Sequence, residues 1–130
     1  MAMMPEGVRA LSFTRHAIGA ADLPAQREIF ESACAARCWT AGGSVCQMGR
    51  GLRAWSAVIR LVRSGAYGVV VVDSIDRIAS TDAGRCAVLA ALRQAGVRLL
   101  AARDDIDTGE PTGADLVGSL LDGAAVAVAA

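Results

Sequence analysis

Four consecutive valines, Val69–Val72, constrain the fold of this chain more than any other feature. Gly65 and Gly68 precede the run and Asp73 follows it, so turn-forming residues bound a segment that is too short for a helix. A strand that is apolar at every position has both of its faces covered. The run therefore predicts a central strand in a sheet that has helices on both sides.

Helical and strand patterns alternate on either side of this run. Alternation of this kind favours an α/β fold of three layers, with a mainly parallel central sheet and a long C-terminal helix, in one domain over residues 1–130. Polar loops are expected over 73–81 and 104–113. We expect helices over 23–37, 50–64, 82–95 and from 114 onward. Strands are expected over 8–14 and 97–101, with a short strand followed by a loop within 38–48.

Charge and composition exclude several functions. The formal net charge is zero, whereas a stand-alone nucleic-acid binder normally carries a basic surplus, so any DNA contact requires a local patch, a partner or a missing domain. Neither a P-loop nor a dinucleotide-binding glycine motif is present. With one histidine and no paired ligand motif, we expect no metal and no cofactor.

We also expect a cytoplasmic protein without a membrane partner. The grounds are four reduced cysteines, the absence of a signal peptide, and an apolar tail that is too short to span a bilayer.

Three blocks of sequence carry a family resemblance. Residues 13–17 read Phe-Thr-Arg-His-Ala, and residues 23–26 then read Leu-Pro-Ala-Gln. Residues 70–78 combine a strand with an Asp-Arg pair, and residues 106–113 contain Ile-Asp-Thr and a later Thr-Gly. In this order and spacing, the blocks resemble the catalytic domain of the serine recombinases, the resolvase/invertase family. The resemblance implies a resolvase-like fold.

The resemblance also implies a chemistry. In this family a serine hydroxyl attacks a DNA phosphodiester and forms a phosphoserine link without a metal, while arginines and an aspartate stabilise the charged phosphate. Arg15 matches the family's first arginine, and Asp76 and Arg77 match its Asp-Arg pair. The serine position is Ala17, and Ser80 stands where a further arginine is expected. We therefore expect Arg15 and Arg77 to converge on the remnant of a catalytic site.

Other parts of the family's site are missing as well. The segment 42–51 has no acid, the arginine that opens the next helix aligns with Leu52 between Arg50 and Arg53, and no arginine follows Arg103. Because such groups act as a unit, the pattern predicts a catalytically inactive relative of the site-specific recombinases, from a mobile element or as a module that pairs with an active recombinase. One alternative is an active recombinase with an unorthodox nucleophile, and another is a dimerisation or regulatory module that does not act on DNA.

The final helix and the loop before it give two further predictions. In the family this helix forms the dimer interface and leads to a DNA-binding domain, which we do not expect in this chain. Its apolar face is too wide for a solvated helix, so we expect a homodimer or homo-oligomer. The acidic loop that contains Asp104, Asp105 and Asp107 is expected to be solvated. The apolar face comprises Leu116, Val117, Leu120, Leu121, Ala124 and Val128.

Overall fold

A computed structural model describes residues 7–16 and 23–129, with side chains through residue 123. Ala17 lies outside the described residues. The described elements are β1 (Arg9–His16), α1 (Leu23–Arg37), β2 (Thr40–Met48), α2 (Arg53–Arg63), β3 (Val69–Val72), a 3₁₀ turn (Ile75–Arg77), α3 (Asp82–Gln94), β4 (Leu99–Ala101), β5 (Ile106–Asp107) and α4 (Pro111–Ala129).

The strands form one sheet in the order β2-β1-β3-β4-β5. The first four strands are parallel, and β5 runs antiparallel to β4. The prediction of a mainly parallel sheet in an α/β fold is therefore confirmed. Two details were wrong: β2 is a full nine-residue strand rather than a short one, and the expected loop over 104–113 contains β5.

The four valines of β3 are buried and alternate between two apolar layers. Val69 and Val71 pack with α1 residues such as Phe30, whereas Val70 and Val72 pack on the opposite face with residues from the other three helices. β1 alternates in the same way, because Ala10 faces α1 while Leu11 and Phe13 face the larger layer. The side of β1 on which a residue lies therefore decides which helices it meets.

Helix α4 begins at Pro111, three residues earlier than expected. Its first turn lies directly on β5, since a Cβ added to Gly113 would stand 2.0 Å from the Asp107 carbonyl oxygen. Val117 and Leu121 are buried in the core, so that part of the predicted apolar face is used within the chain. Among the residues that the structure describes, no helix is long and apolar enough to cross a membrane.

Candidate active site

Arg15 lies at the carboxyl end of β1, where its guanidinium is buried among backbone carbonyl groups. Nη1 donates to the carbonyl oxygens of Gly49 at 2.8 Å and Gly51 at 3.1 Å. Nε donates to the Arg77 carbonyl at 3.1 Å, and Nη2 donates to the Ile78 carbonyl at 2.8 Å. The side chain thus ties the loop after β2 and the 3₁₀ turn after β3 to the end of β1.

These bonds leave the guanidinium little capacity for a ligand. An arginine side chain has five N–H groups, and the carbonyls take four of them. Burial lowers the pKa of Arg15, and the neighbouring Cys46 raises it by a smaller amount. Arginine nevertheless stays protonated under ordinary conditions, so the buried charge is stabilised by the carbonyl dipoles around it.

A stacked aromatic pair packs against the Arg15 side chain. The rings of Phe13 and Trp55 stack with their centroids 4.0 Å apart, and the Arg15 guanidinium carbon lies 5.8 Å from the centroid of Phe13. The Trp55 indole donates to the Ile78 carbonyl at 2.8 Å, which is the oxygen that also accepts from Arg15. Trp55 is therefore a core residue with its polar atom satisfied, and it positions the same turn that Arg15 holds.

Gln26 fixes the backbone of Arg15. Its amide oxygen accepts from the Arg15 N–H at 3.1 Å, and its amide nitrogen donates to the Arg15 carbonyl at 3.1 Å. Gln26 is 4% exposed, so these bonds are shielded from water. The side chain of Gln26, the last residue of the Leu-Pro-Ala-Gln block, therefore bonds the backbone at the end of β1 in the way that a neighbouring strand would.

The buried carboxylate near the site belongs to Asp73, which sequence reasoning missed. Its oxygens accept from Arg103 Nε at 2.6 Å and Nη2 at 2.8 Å, and Arg77 Nε lies 3.8 Å from the second oxygen. Asp76, in contrast, is exposed, and the structure shows no ion pair for it with another described residue. The position of Asp73 directly after the buried strand was the available signal, because polar groups collect at the carboxyl ends of parallel strands.

Ser80 lies beside the segment that carries Arg50. The Ser80 hydroxyl donates to the Arg50 carbonyl oxygen at 3.4 Å, and both residues are exposed. Because the carbonyls of Gly49 and Gly51 bind Arg15, this segment also adjoins the end of β1. The structure thus places Arg15, the backbone of Arg77 and the contact between Ser80 and Arg50 near one another. The Arg77 guanidinium lies against Asp73 instead, so the convergence of Arg15 and Arg77 on one remnant site stays a prediction.

The acidic loop before α4 is only partly solvated, which corrects the expectation for Asp107. Its carboxylate accepts from Arg98 Nε at 2.9 Å and Nη2 at 2.7 Å. The bond from Arg98 lowers the pKa of Asp107, and the same bond raises the pKa of Arg98. Asp104 is also in use, since its carboxylate accepts from the Ile75 N–H at 2.7 Å. Within residues 7–16 and 23–129, no group of three or more side chains could hold a metal ion.

Comparisons with known proteins agree with this architecture. The family profile "Resolvase, N terminal domain" matches residues 12–127. No curated protein matches the chain at a significant level.

Solved structures of similar fold include the N-terminal catalytic domain of TP901-1 integrase, with a TM-score of 0.75 and 17% identity over 86% of this chain and 90% of that chain. A resolvase family site-specific recombinase from Streptococcus pneumoniae also has a TM-score of 0.75, with 19% identity over 92% of this chain and 87% of that chain. The C-terminal catalytic domain of ISC1926 TnpA, an IS607-like serine recombinase, has a TM-score of 0.58 and 18% identity over 71% and 68% of the two chains. At these identities the likeness concerns the fold.

Proposed function

Because this chain belongs to the resolvase N-terminal domain family, we propose that it takes part in DNA recombination as a domain that no longer cuts DNA itself. The observation that carries the proposal is Ala17, which has no hydroxyl to form a phosphoserine link. The bonding of Arg15 supports it, because four of its N–H groups serve backbone carbonyls rather than a free phosphate site. Arg15, Asp76 and Arg77 are then the remnants of the family's site.

The other hydroxyls of β1 do not replace the missing one. Ser12 and Thr14 line a cleft with residues of α1. Alternation along the strand turns Arg15 the other way, towards Phe13 and Trp55. The hydroxyls of Ser12 and Thr14 are therefore on the wrong face of the sheet to meet Arg15.

A test for a covalent protein–DNA adduct on supercoiled DNA addresses this proposal. We expect no adduct from the natural chain and little from Ala17→Ser alone, because position 80 still lacks its arginine. Ala17→Ser combined with Ser80→Arg should exceed the single variant by about 100-fold, the usual effect of one transition-state donor. Ala17→Ser with Ser32→Arg adds the same charge at an exposed position of α1, away from the α2 arginines, and serves as the control. An adduct from the natural chain would overturn the proposal.

One observation favours an active enzyme as the second candidate. Ser80 presents an exposed hydroxyl next to the Arg50 segment and close to Arg15. If Ser80 were an unorthodox nucleophile, the natural chain would form an adduct and Ser80→Ala would abolish it. Ser74→Ala, in the loop that follows the same strand, is the matched control.

The arginines around α2 offer a local surface for DNA although the net charge is zero. Arg50, Arg53, Arg60 and Arg63 are exposed, and no acid occurs between residues 50 and 72. Each phosphate contact contributes about 0.9 to the slope of log K against log salt concentration. Arg60→Gln with Arg63→Gln should therefore lower the slope by about 1.8. Arg93→Gln with Arg85→Gln is the control, and no DNA binding at low salt would favour the regulatory module that does not act on DNA.

We also propose that α4 joins two copies of the chain, or this chain to an active recombinase. Leu116 and Leu120 are 46% and 48% exposed, one turn apart on that helix. The side chains of Ala124 and Val128 lie outside those that the structure describes. Light scattering should give the mass of a dimer at micromolar concentration, and Leu116→Glu with Leu120→Glu should give a monomer. Leu61→Glu, on an exposed leucine of α2, is the control.

The state of the cysteines supports a cytoplasmic location. Cys34, Cys38, Cys46 and Cys86 are all free thiols. Free thiols persist in a reducing compartment, and we propose the cytoplasm, where the family's DNA substrate is found.

A further inference from the structure

A polar cleft separates α1 from the edge strand β2, on the face of the sheet opposite Arg15. Its volume is about 360 Å³, within the range of small-molecule sites. None of Arg15, Asp73 and Arg77 lines it. Its floor comes from β1 and β2, and its wall comes from α1.

Two buried hydroxyls on the floor lack a partner. Ser12 is 4% exposed and Thr14 is 7% exposed, and both line the cleft. Neither side chain makes a hydrogen bond to another residue in the described part of the chain. Since none of the described residues has a buried side-chain oxygen that is sealed off without a partner, these two hydroxyls open into the cleft. Buried polar groups normally have partners, so the open pair indicates a place for a polar ligand.

A bulge in β2 completes the floor. Ala10 pairs with Ala41 and Ser12 pairs with Ser44, so β2 holds one extra residue at Gly42–Gly43. A Cβ on either glycine would stand 2.5 Å from an atom of Tyr67, which lies on the other face of the sheet. The bulge shifts the strand by one residue, and Ser44 then faces the cleft beside Ser12.

The next cross-strand pair on the floor of the cleft follows the same register of β1 and β2. Thr14 pairs with Cys46, which also lines the cleft. The floor is therefore a patch of three hydroxyls and one thiol, each able to donate or accept a hydrogen bond.

The wall adds one positive and one negative group. Arg27 and Glu31 are exposed, line the cleft and stand one turn apart on α1, with a rise of about 6 Å between them. No ion pair joins them, and among the described residues no other charged side chain lines the cleft. A base placed four residues before an acid is also the weaker order for pairing along a helix. Both charges are free to meet a ligand that has the opposite two.

We propose that this cleft binds a small zwitterion of the amino-acid class. Arg27 binds the carboxylate, Glu31 binds the ammonium group, and the hydroxyls of Ser12 and Thr14 bind polar atoms at the floor. An anion alone leaves Glu31 unmatched, and a neutral polyol leaves both charges unmatched. The inference is independent of whether the domain cuts DNA.

Calorimetric titration of the full chain with each of the twenty free amino acids tests the proposal. We expect at least one to bind with a Kd of about 1 mM or lower, and its N-acetylated amide, which lacks both charges, to fail. Inorganic phosphate and glycerol serve as the anion-only and polyol-only probes. Equal binding of phosphate, of glycerol or of the blocked amide would overturn the zwitterion, as would no binding by any amino acid.

Variants locate the binding. Arg27→Gln and Glu31→Gln should each raise the Kd about tenfold or more, because each removes a charge-assisted bond. Arg93→Gln and Glu28→Gln, which are exposed outside this cleft, should leave the Kd unchanged. Thr14→Val keeps the shape and removes the hydroxyl, so it should weaken binding while the melting temperature holds. Binding that all these variants leave intact would place the ligand elsewhere and contradict the proposal.

Discussion

The two faces of β1 differ in how fully their polar groups are bonded. On one face, Arg15 gives four N–H groups to carbonyl oxygens and lies over the stacked pair Phe13 and Trp55. On the other face, Ser12 and Thr14 are just as buried, yet their hydroxyls bond to no other described residue.

The difference separates structural residues from residues available to a ligand. A saturated group stabilises the fold and has little capacity left, whereas a group that opens into a cleft keeps its hydrogen bonds for water or a ligand. This chain uses Arg15 as structural support. The hydroxyls of Ser12 and Thr14, which remain open to the cleft, lie on the opposite face.

The largest test of this contrast is Arg15→Met. We expect it to lower the free energy of unfolding by about 3 kcal/mol, because it leaves carbonyls of two loops without their donor. Denaturant unfolding measures the change. Arg53→Met, on an exposed arginine, should change stability by less than about 0.5 kcal/mol. If the two variants were equally mild, Arg15 would not be a structural residue.

The second test disturbs the bulge in β2, which sets the register of the sheet face that carries Ser12 and Thr14. Gly42→Ala brings a Cβ to 2.5 Å from a Tyr67 ring carbon and 2.9 Å from the Ala10 carbonyl oxygen. We expect a loss of about 2 kcal/mol in thermal or denaturant unfolding, since the backbone oxygen cannot move aside. Gly123→Ala has open space and lies inside α4, so it should be neutral or slightly stabilising. A neutral Gly42→Ala would show that the register tolerates a side chain there.

The third test asks whether the polar groups at the β5 edge of the sheet are as fully hydrogen-bonded as Arg15. The pKa of Asp107 is lowered by its bond from Arg98, so this carboxylate stabilises the fold above its ordinary value of 3.8 and loses that effect as the pH falls through its folded-state pKa. Asp107→Asn should cost about 1 kcal/mol at pH 7 and make the stability less dependent on pH below 4. Asp115→Asn, on exposed α4, is the control for both measurements. Parallel acid-unfolding curves for Asp107→Asn and the natural chain would contradict this.

The smallest expected effect is that of Thr14→Val. Its hydroxyl makes no bond to a described residue, so removing it should change the unfolding free energy by less than about 0.5 kcal/mol in either direction. Denaturant unfolding in the absence of any ligand is the measurement. A loss of about 2 kcal/mol or more in the free energy of unfolding would mean that the Thr14 hydroxyl is hydrogen-bonded within the folded protein.

Much of the fold could be predicted from the sequence, because it depends on local patterns. The valine run and the alternating elements indicate a mainly parallel sheet, and the structure has one. The two-residue β5 was missed because it is too short to show a period, and its place depends on the Arg98–Asp107 pair. The length of β2 was missed because its glycine pair reads as a turn, whereas Tyr67 packs over it and makes it a bulge.

The candidate site was harder to predict. Motif spacing predicts that Arg15 and Arg77 converge, but spacing does not report which atoms a side chain bonds. Arg15 binds the Arg77 carbonyl, and the Arg77 guanidinium lies against Asp73. Asp73 holds Arg103 across 30 residues of chain, a pairing that local pattern does not show. The open hydroxyls of Ser12 and Thr14 could not be predicted for the same reason. The alternating pattern of a strand predicts on which face of the sheet a side chain lies, but it does not predict its hydrogen-bond partners.

The two-way bond between Gln26 and the Arg15 backbone has a consequence for how such a domain changes over time. It joins the residues on either side of the stretch that contains position 17. A substitution at residue 17 removes neither partner of these two bonds. A nucleophile can therefore be lost or regained at this position by a single substitution. Position 17 is for that reason the natural first site for restoring activity by design.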